Sequence, residues 1–159
     1  MKQWLSVYLL LAVLTGCAGN PVFRPQTPQA GNTMLYLYRP EASTPGVAKP
    51  LRLSYPEVFI DDRSVGVIPY NRYLPLEMKP GKHEIRVTGL TAQARDWEVR
   101  DIRRVVNVPA GQASFLRLGV EYNLQKMNLM QPRSQYHILL TPVREEDAIY
   151  EIRHIAPLK

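Results

Sequence analysis

The feature that most constrains the fold is a series of short apolar segments separated by turn residues, clearest between residues 51 and 89. Leu74, Leu76 and Met78 alternate with polar or proline positions, as they would in a strand with one buried face. Residues 79–82, Lys-Pro-Gly-Lys, then form a turn, because Pro fixes φ and Gly tolerates positive φ. Segments this short and this regularly punctuated favour strands over helices.

The same stretch contains a predicted β-hairpin. Val58–Asp61 forms its first strand, Asp62-Arg63 its turn and Ser64–Ile68 its second strand. After the turn at 79–82, Ile85 and Val87 alternate with polar residues in a further strand. The stretch therefore divides into four β segments.

Three motifs in this stretch resemble those of PEGA-type β-domains and of related small lipoprotein domains of unknown function. They are Ile60-Asp61-Asp62-Arg63, the Val65-Gly66 that follows it and, after a leucine-rich strand, Pro80-Gly81-Lys82-His83. Family members commonly have Gly at the position of Asp62, and Asp preserves the turn because it also adopts positive φ. The resemblance covers roughly residues 33–122. It implies an extracytoplasmic β module and supplies no catalytic residue.

Further strands are predicted on both sides of this stretch. Thr33–Arg39 is apolar on both faces and is expected at the centre of a sheet. Trp97 and Val99 share one strand phase and Ile102 begins the other, which predicts a bulge or bend at Arg100-Asp101. Two later strands, Leu116–Tyr122 and Tyr136–Leu140, and two loops, 40–50 and 123–135, complete the pattern.

One helix is predicted at the C-terminal end, over about residues 142–155. Thr141 would cap it and Pro142 would occupy its first position. Acidic residues in its early turns and basic residues in its last turn suit the helix dipole, namely Glu145, Glu146 and Asp147 against Arg153 and His154. The predicted fold is therefore mainly β, an antiparallel β-sandwich (immunoglobulin-like or transthyretin-like) of about seven or eight strands with a C-terminal helix.

The first seventeen residues predict export and a lipid anchor. Lys2 precedes an apolar run from Trp4 to Leu14, which is too short to cross a bilayer but suits a signal peptide. Leu14-Thr15-Gly16-Cys17 resembles the lipobox of bacterial lipoproteins. The resemblance implies cleavage between Gly16 and Cys17, an S-diacylglyceryl group on Cys17 and an N-acyl group on its new amino terminus. An ordinary signal peptide with a cysteine nearby is the alternative.

These features predict three regions. Residues 1–16 form a lipoprotein signal peptide, residues 17–32 a lipidated N-terminus with a Pro/Gly/Gln-rich tether, and residues 33–159 one domain. Ala18 stands where an inner-membrane retention signal would have Asp, so the resemblance implies transfer to the outer membrane, facing the periplasm. The formal net charge is +6, and for an exported protein this favours anionic lipid or envelope polymers over nucleic acid.

The sequence predicts no catalytic residue, cofactor or metal site. It contains no Gly-x-Ser-x-Gly motif and no phosphate-binding glycine loop, and its single cysteine is assigned to the anchor. The three histidines, His83, His137 and His154, lack the spacing of zinc ligands. Asp61 and Asp62 are adjacent, which indicates a hairpin turn rather than a calcium site or a catalytic pair.

Two segments are candidate interaction surfaces. One is an arginine cluster, Arg95, Arg100, Arg103 and Arg104, which is either a lipid- or polymer-binding patch or a solvated strand face. The other is a Met/Leu segment, Met127–Met130, which is either a partner contact or buried against the sheet. The expected function is a non-enzymatic structural or interaction module on the outer membrane. The alternatives are an accessory lipoprotein of an envelope complex, or a glycan- or small-ligand-binding domain using Tyr70, Tyr73 and Trp97.

Overall fold

The structure, a computed structural model, describes residues 22–40, 51–97, 99–122 and 136–158. Within these ranges the chain forms nine strands and one helix, α1 (Glu145–Ile152). The strands are β1 (Thr33–Arg39), β2 (Glu57–Ile60), β3 (Arg63–Val67), β4 (Arg72–Met78), β5 (Gly81–Thr88), β6 (Ile102–Val108), β7 (Ala113–Tyr122), β8 (Tyr136–Val143) and β9 (Ala156–Pro157). The predicted loops 40–50 and 123–135 lie almost entirely outside the described residues.

Two sheets form the predicted β-sandwich. The five-stranded sheet has the order β8-β7-β1-β4-β9 and the four-stranded sheet the order β3-β2-β5-β6. Apolar side chains from both sheets share one core, which includes Leu35, Leu37, Val58, Ile85, Val87, Leu116, Leu118 and Leu140. Most strand pairs are antiparallel, but β1 pairs with β7, and β4 with β9, in parallel. The mainly β prediction with a C-terminal helix is confirmed.

Strand β1 occupies the centre of the five-stranded sheet, as predicted. All seven of its residues are buried, because neighbouring strands cover both of its edges and apolar groups cover both of its faces. Leu35 and Leu37 point into the core between the sheets. Met34, Tyr36 and Tyr38 point to the outer face, where a second apolar cluster contains residues of α1. A run that is apolar on both faces therefore marks a strand with layers on both sides.

The hairpin between β2 and β3 turns one residue earlier than predicted. Asp61 and Asp62 have φ of 48° and 62°, so both central residues of the turn are left-handed, as a type I′ turn requires. Arg63 is already the first residue of β3. Asp tolerates this conformation because its short polar side chain is compatible with positive φ. The hairpin prediction holds with this shift.

The helix is shorter than predicted and begins later. Thr141 and Pro142 belong to β8, which pairs with β7 as far as Val143, so strand pairing overrides the helix-start signal. Pro is tolerated there because β8 is an edge strand. Helix α1 begins at Glu145 without a side-chain cap and ends at Ile152, before the two basic residues assigned to its last turn. Its early turns do contain the predicted acids, Glu145, Glu146 and Asp147.

The segment between β5 and β6 is not the bent strand predicted from Trp97 and Val99. Strand β6 begins only at Ile102, and residues 89–97 follow an irregular path with one bridge between Tyr55 and Arg95. Trp97 is nevertheless buried, with 3% of its surface exposed, in the core between the sheets. Trp97 is therefore apolar because its ring fills the core, and not because the segment is a strand.

Candidate functional site

The N-terminal segment (residues 22–32) is packed on the outer face of the five-stranded sheet. The ring of Phe23 lies edge-on, with centroids 5.2 Å from Tyr36, 5.2 Å from Tyr73 and 6.3 Å from Phe115. Only 6% of Phe23 is exposed. Edge-to-face ring packing of this kind adds to the stabilisation from burial alone. Phe23 is therefore part of the folded domain, although the sequence assigns it to the tether.

Hydrogen bonds hold the rest of the N-terminal segment to the same sheet. The Gln26 N–H donates to the Tyr36 hydroxyl oxygen at 2.6 Å. The Gln29 N–H and the Asn32 side-chain amide donate to Glu77 Oε1 at 2.7 and 2.8 Å. Both hydrogen bonds hold the pKa of Glu77 below its usual value, and the one from Asn32 has the larger effect. The predicted tether of residues 17–32 is thus bound to the domain from Phe23 onward.

A cleft of about 410 Å³ lies between α1 and the end of β8. It is lined by Arg117, Pro142, Val143, Arg144, Asp147, Tyr150 and Glu151. Arg144 lies at its edge and pairs with Glu146 and Asp147, each at 2.9 Å, while remaining mostly exposed. This cleft has the size of a small-ligand site.

A partly buried polar triad lies beside the cleft, and two of its members, Arg117 and Glu151, line it. The Tyr38 hydroxyl donates to Glu151 Oε2 at 2.8 Å, and Arg117 Nη1 donates to Glu151 Oε1 at 3.1 Å. Burial raises the pKa of Tyr38 far above its usual value, and the hydrogen bond to Glu151 raises it further. Tyr38 therefore remains a protonated donor. Both carboxylate oxygens of Glu151 are already engaged. The triad therefore attaches α1 to the sheet and is poorly suited to proton transfer.

A second buried polar site surrounds Arg39 at the end of β1. Its guanidinium donates to the carbonyl oxygens of Ser54 and Leu51, each at 2.6 Å, and only 1% of the residue is exposed. The guanidinium carbon lies 5.5 Å from the ring centroid of Trp97 and 5.8 Å from that of Tyr70. Burial lowers the pKa of Arg39 to about 10, so it stays charged at neutral pH. Arg39 fixes the start of the segment that leads into β2.

The three aromatic residues of the proposed ligand site do not line one surface. Trp97 is in the core between the sheets, whereas Tyr73 contacts Phe23 on the outer face of the five-stranded sheet. Tyr70 lies beside Arg39. The sheet therefore separates Tyr73 from Trp97, and these rings provide no shared stacking platform.

The arginine cluster is divided among separate contacts. Arg103 pairs with Glu84 at 2.7 Å, whereas Arg104 donates to the Leu140 carbonyl oxygen at 2.9 Å. Arg95 lies 3.6 Å from Asp96 and Arg100 is exposed. Part of the positive charge in this segment is thus neutralised locally, which favours the solvated strand face over a concentrated anion-binding patch.

His83 and Asp61 form a hydrogen-bonded pair beside the β2–β3 turn. His83 Nδ1 lies 2.6 Å from Asp61 Oδ2, and His83 Nε2 lies 2.8 Å from the Lys79 carbonyl oxygen. Because both ring nitrogens face acceptors, the imidazolium fits best, and the bond to Asp61 raises the pKa of His83. The same bond lowers the pKa of Asp61, and a second bond, from the Glu84 N–H, lowers it further. The pair supports the turn.

Several predicted features fall outside the part of the chain that the structure describes. They are Gly16 and Cys17, the Met127–Met130 segment and the side chain of His137. His154 is described and is exposed. Among the described residues no three or more His, Cys, Asp or Glu are grouped so as to hold a metal ion, and no helix has the length and hydropathy to cross a membrane.

Comparison of the chain with protein-family models, with curated proteins and with solved structures finds no match. The resemblance to PEGA-type β-domains therefore depends on the turn motifs of residues 60–83 alone and stays a prediction.

Proposed function

We propose that this protein is a lipoprotein of the bacterial outer membrane whose β-sandwich acts as a non-enzymatic structural or interaction module in the periplasm. The observation that carries the proposal is the apolar run ending at Leu14-Thr15-Gly16-Cys17. A processed Cys17 with a diacylglyceryl group and an N-acyl chain would be stably anchored, because two or more chains hold a protein at a bilayer.

The folded domain is compatible with this role. It has a contiguous apolar core and a second apolar cluster under α1, so packing rather than disulfide bonds accounts for its stability. The polar groups of the cleft at α1 join the helix to the sheet. These features support a stable module held together by packing and hydrogen bonds.

A more specific candidate is an accessory lipoprotein of an envelope complex. Strands β6 and β8 each lie at the edge of a sheet and each exposes a large apolar side chain, Val105 at 64% and Leu139 at 54%. Edge strands with apolar side chains are places where another protein chain adds by strand pairing. The glycan-binding alternative has less support, because Trp97 is buried and the sheet separates it from Tyr73.

The test is crosslinking in living cells. A photo-crosslinking residue is placed at Val105 and, in a matched variant, at exposed Arg63 on the edge strand at the other side of the same sheet. One abundant protein adduct at position 105 that is lost in Cys17→Ser would support an accessory role. Crosslinks to many different proteins, formed in equal amounts at both positions and unaffected by Cys17→Ser, would contradict an anchored interaction module.

A further inference from the structure

The docked N-terminal segment limits how far the domain can lie from the predicted anchor. Cys17 precedes Phe23 by 23 − 17 = 6 residues, and a fully extended chain covers at most about 3.5 Å per residue. The backbone at Cys17 therefore lies within about 20 Å of Phe23. Phe23 is fixed on the outer face of the five-stranded sheet by its contacts with Tyr36, Tyr73 and Phe115.

The opposite face of the sandwich is beyond this reach. In the four-stranded sheet Ile60 pairs with Ile85 on the core side, so the neighbouring pair Phe59 and Arg86 faces outward, with Arg103 beside Arg86. A domain of this size is roughly 35 Å across. To bring that face to the bilayer, the chain from Phe23 would have to pass around the sandwich, a path longer than about 20 Å.

The residues beside Phe23 suit a lipid surface. Val22, at the point where the chain leaves toward Cys17, is 67% exposed, and Arg24 on the other side of Phe23 is also exposed. On α1, which packs on the same outer face, Tyr150 is 64% exposed and the Arg153 guanidinium lies 3.8 Å from its ring centroid. These apolar, aromatic and guanidinium groups match the boundary between acyl chains and anionic head groups, and Arg144 pairs with two of the three exposed acids in the first turn of α1.

We infer that the outer face of the five-stranded sheet, with the N-terminal segment and α1, lies against the lipid head groups of the membrane. The outer face of the four-stranded sheet then points away from the bilayer. This orientation rests on the proposed lipidation of Cys17. It assigns the membrane-proximal face to Phe23 and α1, and leaves the row of Phe59, Arg86 and Arg103 accessible to proteins in the periplasm.

Energy transfer to the membrane surface tests the orientation. Because the only cysteine carries lipid, an introduced cysteine is the sole free thiol of the mature lipoprotein. Tyr150→Cys and Val105→Cys are matched, since each native side chain is 64% exposed and they lie on opposite outer faces. Each full-length lipoprotein is labelled with a donor fluorophore and reconstituted into phosphatidylethanolamine–phosphatidylglycerol vesicles containing an acceptor on a lipid head group.

We expect about twofold higher energy transfer from position 150 than from position 105, because the sheets lie about 10 Å apart and side chains add to that separation. A twenty-residue Gly/Ser insertion after Gly19 adds up to about 70 Å of reach, so it should abolish the difference. Equal transfer from the two positions in protein that floats with the vesicles would overturn the orientation alone. Protein that fails to float and has no acyl mass on Cys17 would overturn both the orientation and the proposed anchor.

Discussion

Replacement of Arg39 by Met removes the buried cation that joins β1 to the segment before β2. The carbonyl oxygens of Leu51 and Ser54 then each lose a charged donor, and the Leu51 oxygen keeps its bond from the Ser54 N–H at 3.1 Å. Met fills much of the aliphatic volume of Arg, so the perturbation is mainly the loss of charge and of hydrogen bonds. We expect a less stable domain with an unchanged fold.

The expected loss in the free energy of unfolding of Arg39→Met follows from three contributions. Loss of a hydrogen bond from a charged donor costs about 1.5–3 kcal/mol at each of the two carbonyl groups, or about 4 kcal/mol together. Loss of the contacts with the Trp97 and Tyr70 rings costs about 1 kcal/mol each. Against this, burial lowers the pKa of Arg39 from 12.5 to about 10. That change corresponds to a cost of about 3 kcal/mol for burying the charge, and Met at this position avoids that cost. The expected net loss in the free energy of unfolding is about 3 kcal/mol.

Equilibrium unfolding in urea measures this loss. In a form that begins at residue 18, Trp97 is the only tryptophan, and its ring lies 5.5 Å from the Arg39 guanidinium carbon. Its fluorescence therefore reports directly on the perturbed site. With a urea dependence of about 1.5–2 kcal/mol/M, the midpoint should fall by about 1.5–2 M. Arg63→Met, at an exposed position, is the control and should change the midpoint by less than about 0.3 M.

Arg39→Lys separates charge from geometry. Lys keeps the positive charge but cannot donate to two carbonyls from one planar group, so it should lose at least as much stability as Met. If Arg39→Met, Arg63→Met and the wild type all unfold at the same urea concentration, the hydrogen bonds of the Arg39 guanidinium contribute nothing to the stability of the domain. The argument for Arg39 would then be wrong.

Two further predictions concern a close approach and a titrating pair. A Cβ on Gly89 would lie 1.8 Å from the Trp97 carbonyl oxygen, so Gly89→Ala should destabilise by about 3 kcal/mol in thermal unfolding. Gly119→Ala, whose nearest contact is 3.9 Å, should change little, and equal effects at both sites would refute the clash. Because the pKa of His83 is raised and that of Asp61 lowered, their pair should add full stability between about pH 3.8 and 6.5. That contribution, up to about 1 kcal/mol, should fade as pH rises through the raised pKa of His83, and an unaltered pH profile in Asp61→Asn would contradict it.

The strand pattern was predictable because it depends on local alternation. Leu74, Leu76 and Met78 mark one face of β4, and the uniformly apolar β1 marks a central strand. Turn chemistry located the β2–β3 hairpin to within one residue. The helix start was wrong, since its local signal, Thr141-Pro142, competes with pairing of β8 on β7. Pairing partners are not readable from one segment.

Features made by distant contacts could not be predicted. Phe23 stands in a Pro- and Gln-rich segment that has the composition of a linker, and only the rings it meets, including Phe115, make it part of the core. Tyr38 and Glu151, which are hydrogen-bonded beside the cleft, are 113 residues apart in the sequence. Arg39 ended an apolar strand, which was the one local sign of a buried cation.

Fatty-acid labelling in living cells tests the anchor, on which the proposed function depends. Cells are grown with a clickable fatty acid, and the wild-type protein is compared with Cys17→Ser and with Gly119→Ala, which keeps the anchor sequence intact. The account predicts labelled wild-type and Gly119→Ala proteins in the outer-membrane fraction, with the label absent from Cys17→Ser. Label that persists in Cys17→Ser, or a wild-type protein without any label, would contradict the assignment of Cys17 as the lipid attachment site.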